Sequence, residues 1–203
     1  MAVKANNRQS GRGATKSRLQ GLARGGSVYR NGRLVPYRLG KGLKTLQFTD
    51  GPTALLPVPS GDLVAAYHAT GIPNITASIP FRRAVAPWLP LVQGVLSIQP
   101  VRRRLEAAIE KRGASRPAEE ENTQRISYSW ARASDQNGRQ VEAWLELGEG
   151  YQFTAASSIQ AVIRVLRDHP SGTLMPAQAF GWDFVLGIEG VRLLPAGSSE
   201  TAN

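Results

Sequence analysis

Three consecutive runs decide the fold class: Ile126-Ser127-Tyr128-Ser129-Trp130-Ala131, Asp135-Gln136-Asn137-Gly138, and Val141-Glu142-Ala143-Trp144-Leu145-Glu146-Leu147. Successive side chains of a strand point to opposite faces. The first run therefore puts Ile126, Tyr128 and Trp130 on one face, with Ser127, Ser129 and Ala131 on the other. Asp135-Gln136-Asn137-Gly138 is the turn between the two strands. In the returning run Val141, Ala143, Leu145 and Leu147 are expected inward, and Glu142 and Glu146 outward. A hairpin of this length needs further strands or a helix to cover its apolar face.

Further strands lie upstream. Asn31-Gly32 predicts a second hairpin, joining residues 27–30 to residues 33–39. Residues 43–49 and 53–58 read as strands around the Asp50-Gly51-Pro52 turn, residues 74–81 as another, and residues 191–194 as the last. Helical periodicity alternates with these runs. Residues 15–23 form a short helix stopped by Gly25-Gly26, with Leu19, Leu22 and Ala23 on one side. Ser60 is the expected N-cap of a helix that carries Asp62 in its first turn and Leu63, Ala66, Tyr67 and Thr70 on one face. Gly71 and Pro73 end it. Residues 101–112 are helical, with Val101, Leu105, Ala108 and Ile109 on one face and Gly113 at the end. Residues 154–167 give the clearest amphipathic helix, with Ala155, Ile159, Val162, Ile163 and Leu166 at core spacing. Residues 176–184 read as a short helical turn. Hairpins joined to helices that lack strict alternation with parallel strands indicate α+β: a mixed, largely antiparallel sheet with helices on one face.

The 203-residue chain carries 25 Lys+Arg against 15 Asp+Glu, a formal net charge of +10. Residues 1–49 hold eleven basic side chains and no acid, whereas residues 50–203 hold fourteen basic and fifteen acidic ones. The excess is wholly N-terminal. It suits a basic arm on nucleic acid, which would neutralise phosphates, a transit-peptide-like leader, or a solvated leader followed by the positive wall of a cleft. Cysteine is absent and only His68 and His169 occur. Disulfides, thiolate catalysis and Cys- or His-rich metal sites are excluded, and the composition fits a reducing, cytoplasmic setting. Residues 1–11 are expected to be a disordered leader, residues 12–195 one domain, and residues 196–203 a disordered tail. Residues 114–122, with Glu119, Glu120 and Glu121, read as a loop.

Residues 85–101 are uncharged but contain Pro87, Pro90 and Pro100 and precede Arg102-Arg103-Arg104. Proline breaks a spanning helix, so the segment reads as a buried helix and loop, or as a helix lying on a membrane surface. Gly11-Arg12-Gly13-Ala14-Thr15-Lys16-Ser17 meets neither phosphate-loop template: Lys16 stands where the dinucleotide fingerprint needs its third glycine, and no hydrophobic strand is expected before it. The carboxylate pairs Glu106/Glu110 and Glu142/Glu146 read as solvated charges. His68 has the chemistry of a proton donor and also of a plain surface residue, and His169 suits a helix C-terminus.

Four blocks carry a resemblance. They are Leu19-Gln20-Gly21-Leu22-Ala23-Arg24-Gly25-Gly26 with Tyr29-Arg30-Asn31-Gly32-Arg33-Leu34-Val35; the run from Pro59 to Asn74; Gly148-Glu149-Gly150-Tyr151-Gln152-Phe153-Thr154-Ala155-Ala156-Ser157-Ser158; and Leu174-Met175-Pro176-Ala177-Gln178-Ala179-Phe180-Gly181. In this order, over residues 12–195, the chain resembles the C-terminal half of saccharopine-dehydrogenase-like oxidoreductases, which include trans-acting enoyl reductases of lipid biosynthesis. The resemblance implies an NAD(P) enzyme whose Rossmann domain has no counterpart here, so no cofactor is expected on this chain alone. It implies a Rossmann-domain partner or a homodimer, an exposed apolar face where that partner sits, and a basic edge near the anionic cofactor. Tyr67, Thr70 and Asn74 become the candidate cleft residues, with no catalytic residue assigned. The alternative is a non-enzymatic module that contacts nucleic acid or an anionic membrane through its basic N-terminal arm, with residues 85–104 as a further membrane contact.

Overall fold

The computed structural model describes residues 1–4, 12–48, 51–111 and 126–195. The expectations for residues 5–11, the Asp50 turn corner, the loop at 114–122 and the tail at 196–203 fall outside them. The described chain is α+β. Nine strands occur among these residues: β1 Ala2–Lys4, β2 Gly26–Arg30, β3 Arg33–Tyr37, β4 Lys44–Phe48, β5 Gly51–Pro57, β6 Ser78–Pro80, β7 Ser127–Ser134, β8 Gln140–Leu147 and β9 Arg192–Leu194. The helices are α1 Arg12–Arg24, α2 Gly61–Thr70, α3 Leu89–Ser97, α4 Gln99–Lys111, α5 Gly150–Asp168 and α6 Pro176–Phe180. Single 3₁₀ stretches at Arg83–Trp88 and Trp182–Gly187 lead into α3 and follow α6.

Seven strands form one sheet in the order β4-β5-β6-β1-β7-β8-β9, while β2 and β3 form a separate hairpin. Among the described residues only β1 and β6 pair in parallel. The strand at Ala2–Lys4 corrects the expected disordered leader: its first residues sit mid-sheet, between β6 and β7. Three residues carry too little pattern to be read as a strand. They become one because partners far along the chain satisfy both backbone edges. The expected strand at 74–81 contracts to β6, with Ile75 kept as an isolated bridge to Tyr29.

The sheet curls. Phe48 of β4 and Trp144 of β8 lie five strands apart in order, yet their rings meet edge-to-face at 5.1 Å. Neighbouring strands are about 4.8 Å apart, so a flat sheet would hold these rings more than about 20 Å apart. The concave face encloses Ala2, Leu46, Phe48, Leu55 and Trp144, with Tyr128, Trp130 and Leu194 packed against them. Leu56, next to Leu55, points the other way. There it meets Leu39, Val58 and Leu89, with Leu22 and Ile79 alongside, so α1 and α3 cover the convex face at the β5–β6 end.

Register reverses the faces expected for β8. Trp130 pairs with Trp144, Arg132 with Glu142 and Tyr128 with Glu146, and cross-strand partners share a face. Glu142 and Glu146 therefore lie on the Trp144 face, not on the solvent face. Trp144 is 1% exposed, whereas Val141 is 71% exposed; of the four residues expected inward, Leu147 alone is buried, on the opposite face. One buried tryptophan outweighs the smaller aliphatics because an aromatic side chain buries about 150–250 Å². Both carboxylates find partners: Glu142 accepts from Trp144 Nε1 at 2.6 Å and pairs with Arg132 at 2.6 Å, and Glu146 pairs with Arg192.

The two other turn readings hold. Asn31 (φ 49°) and Gly32 (φ 73°) make the β2–β3 turn, a geometry that favours Asn-Gly. Gly71 takes the left-handed C-cap of α2, its N–H donating to the Tyr67 carbonyl at 2.8 Å. Ser60 occupies the N-cap position of α2, but its hydroxyl makes no cap bond and is buried without a partner.

Candidate functional site

The C-terminal half of α2 gathers chain segments that are far apart in sequence. Tyr67 stacks on Tyr29 of β2, with ring centroids 4.4 Å apart and planes 13° from parallel. Leu63, one helical turn earlier, is buried with Tyr29, Ile75 and Ala77. The Asn31 N–H donates to Asn74 Oδ1 at 3.1 Å, and the Gly32 N–H to the Pro73 carbonyl at 2.9 Å. From the other side, Gln178 of α6 donates from Nε2 to the His68 carbonyl at 2.9 Å. Its Oε1 accepts from the Met175 N–H at 2.9 Å, which fixes the amide.

Each cleft candidate has a place in this cluster. Thr70 donates from Oγ1 to the Ala66 carbonyl at 2.7 Å and accepts from the Ile72 N–H at 3.2 Å, so its hydroxyl closes the helix end. The Asn74 side chain docks the β2–β3 turn. Tyr67 is half-buried in its stack, with its hydroxyl 3.2 Å from the position a Cβ on Gly32 would take. His68 is exposed and edge-on to Tyr67 at 5.8 Å. The structure thus brings Tyr67 and Asn74 to one hairpin and leaves Thr70 on the helix rim.

A cavity of about 270 Å³ opens beside this cluster, between α5 and α6. Ala161, Val165, Leu174, Pro176, Ala179 and Phe180 line it, and no titratable side chain does. It is half open to solvent, and its lining offers no group that could move a proton. None of Tyr67, Thr70 and Asn74 lines it; Gln178, on α6, is the link between the two. Sequence reasoning passed over Gln178 because a lone glutamine in a five-residue helix has no periodic signal.

The remaining polar candidates are structural. Glu110 pairs with Lys16 at 2.6 Å and Glu106 accepts from Gln20 at 3.2 Å, so this carboxylate pair fastens α4 to α1 and is not simply solvated. The Glu110 hydrogen bond holds the Lys16 ammonium above its ordinary value. Lys16 is the one lysine of the glycine-containing run at 11–17, and it is turned toward a carboxylate. A strand does precede that run, but β1 has three residues and α1 leads into the separate β2–β3 hairpin, not to a parallel neighbour as a dinucleotide cradle requires. These residues do not fit NAD(P).

His169 takes the left-handed C-cap of α5, φ 47°. Beside it, hydrogen bonds from Arg167 and then Arg164 hold the Asp168 carboxyl well below its ordinary range. Among the described residues no three His, Asp or Glu side chains come together as a metal site. The backbone of the basic N-terminal stretch belongs to the fold, while the side chains of Arg24, Arg30, Arg33, Arg38, Lys41 and Lys44 are exposed. Lys4 donates to Thr53 Oγ1 at 2.9 Å and lies over the Phe48 ring, while Tyr29 and Phe48 are buried and closed to base stacking.

Apolar surface lies open at several places among the described residues. The row Val3–Ser129–Leu145–Leu193 runs across the convex face beyond the helices, with Val3 and Leu193 exposed. No residue of α5 is buried, and Ile159, Val162, Ile163 and Leu166 of its apolar stripe are all exposed.

No known family model matches the chain, and no curated protein is significantly similar to it.

Proposed function

We propose that this chain is the substrate-side domain of a saccharopine-dehydrogenase-like oxidoreductase and works with an NAD(P)-binding Rossmann domain. One observation carries the reading: three of the four blocks that gave the resemblance, far apart in sequence, meet at the end of α2. Tyr29 and Asn31 come from the first, Tyr67, His68 and Asn74 from the second, and Gln178 from the fourth. Sequence-distant residues that converge at one place are what a shared cleft requires. In this reading Tyr67 lies against the substrate, Gln178 ties α6 to the end of α2 through the His68 carbonyl, and the groove between α5 and α6 takes an apolar portion. The hydride comes from a nucleotide on the partner domain. The open α5 stripe and the Val3–Leu193 row support a missing cover, since large apolar patches mark interaction sites.

The test has two arms. NADPH fluorescence titration of the chain alone is expected to show no saturable binding, and stoichiometric binding overturns the division of labour. Adding a purified nucleotide-binding domain of a saccharopine-dehydrogenase-like protein is expected to give a one-to-one complex by light scattering. Persistence of two separate species overturns the pairing.

The second reading is a non-enzymatic module that contacts nucleic acid or an anionic membrane through its basic N-terminal arm, supported by the six exposed basic side chains between Arg24 and Lys44. Its nucleic-acid form is the weaker one, because Tyr29 and Phe48 are buried and closed to base stacking.

A further inference from the structure

We propose that the corner formed by α3 and the start of α4 docks on an anionic lipid bilayer. The segment 85–101 has no charged residue, and no Asp or Glu occurs between Asp62 and Glu106. Helix α3 uses one face for the fold: Leu89 and Leu96 are buried, Leu89 against the sheet's convex face. The opposite stripe is also apolar. Trp88, Leu91, Val92, Val95 and Ile98 recur at helical spacing, and all are exposed, Trp88 and Leu91 by 62% and 63%. A helix that faces water carries polar groups on its outer side, and one that is apolar all round sits in a core or in lipid.

Charge selects the occupant. Arg82 and Arg83 precede the stripe and Arg102, Arg103 and Arg104 follow it, and none of the five makes an ion pair among the described residues. An apolar ridge with cationic ends matches anionic headgroups around an acyl layer. Trp88, at one end of the ridge, is the residue type that settles at the headgroup level. The two helical pieces, Arg83–Ser97 and Gln99–Glu110, meet at 97°. That bend rules out one straight span across the bilayer and leaves α3 to lie in its surface, held from behind by α1 and the sheet. This inference stands apart from the oxidoreductase reading.

Vesicle flotation of the full chain tests it. Vesicles of phosphatidylcholine with phosphatidylglycerol are expected to carry the protein, salt to release it, and tryptophan emission to shift to the blue. Pure phosphatidylcholine is expected to carry little. Leu91→Glu and Val95→Glu alter exposed positions, so circular dichroism should be unchanged while binding falls by at least about tenfold. Arg103→Gln with Arg104→Gln should weaken binding by roughly thirtyfold and flatten its salt dependence. The proposal is overturned if the chain floats with neither vesicle, or floats equally well with the neutral one. It is equally overturned if Leu91→Glu binds like the parent, or if light scattering shows a dimer that Leu91→Glu dissolves.

Discussion

The β7–β8 hairpin and helix α5 are the two plainest patterns in the sequence, and they end up in opposite environments. The hairpin closes on Trp144, which the curled sheet buries against Phe48 and Trp130. Helix α5 is well formed, with Glu149 at its N-cap accepting from the Tyr151 and Gln152 N–H groups at 2.8 and 3.0 Å. Its apolar stripe nevertheless meets solvent. Periodicity says which residues belong on one face. Whether that face is covered depends on a neighbour that can be distant in the chain, or on another molecule.

Substitutions probe this contrast directly. Trp144→Ala should cost about 3–5 kcal/mol of folding stability in urea denaturation. Leu166→Glu, of similar apolar character by pattern, should stay within about 0.5 kcal/mol. A large loss at Leu166 would mean that α5 is covered in solution. Glu142→Ala leaves the Trp144 indole N–H and the Arg132 guanidinium without their shared acceptor, which should cost about 1–3 kcal/mol. A neutral result would return Glu142 to the solvent face. Glu149→Ala removes the α5 cap and should cost about 1 kcal/mol. Because α5 buries nothing, amide exchange in its first turn should rise while the midpoint for the hairpin stays fixed.

The smallest effect is at Asp168. Its carboxyl is held low by Arg167 and Arg164, so the folded state binds fewer protons than the unfolded one below the ordinary value of 3.8. The stabilisation is complete above that pH and is lost as pH falls further. Carboxyl chemical shifts should place the Asp168 midpoint below that of a free aspartate, and an ordinary midpoint would show the end of α5 frayed.

Much of the fold was legible because its signals are local. Asn31-Gly32, Gly71 and the Asp135–Gly138 turn each fix a few backbone angles, which nearby residues alone determine. The misreadings share one cause. Ala2–Lys4 is a strand only because β6 and β7 flank it, and Glu142 turns inward only because Trp144 must. Of the site, Tyr67 and Asn74 were legible on the α2 helix and its exit loop. Gln178 was not, since its partner is the His68 carbonyl 110 residues away.

By itself the sequence determined the class, the main hairpins, five of the helices, the absence of thiol chemistry and the concentration of positive charge before Asp50. Only the tertiary structure decided that β1 lies mid-sheet, that the sheet curls until β4 meets β8, and that α3 and α5 keep open apolar faces. The reason is physical. Backbone angles and side-chain period are set by neighbours in the chain, whereas burial is set by which surfaces meet, and that is a property of the whole fold.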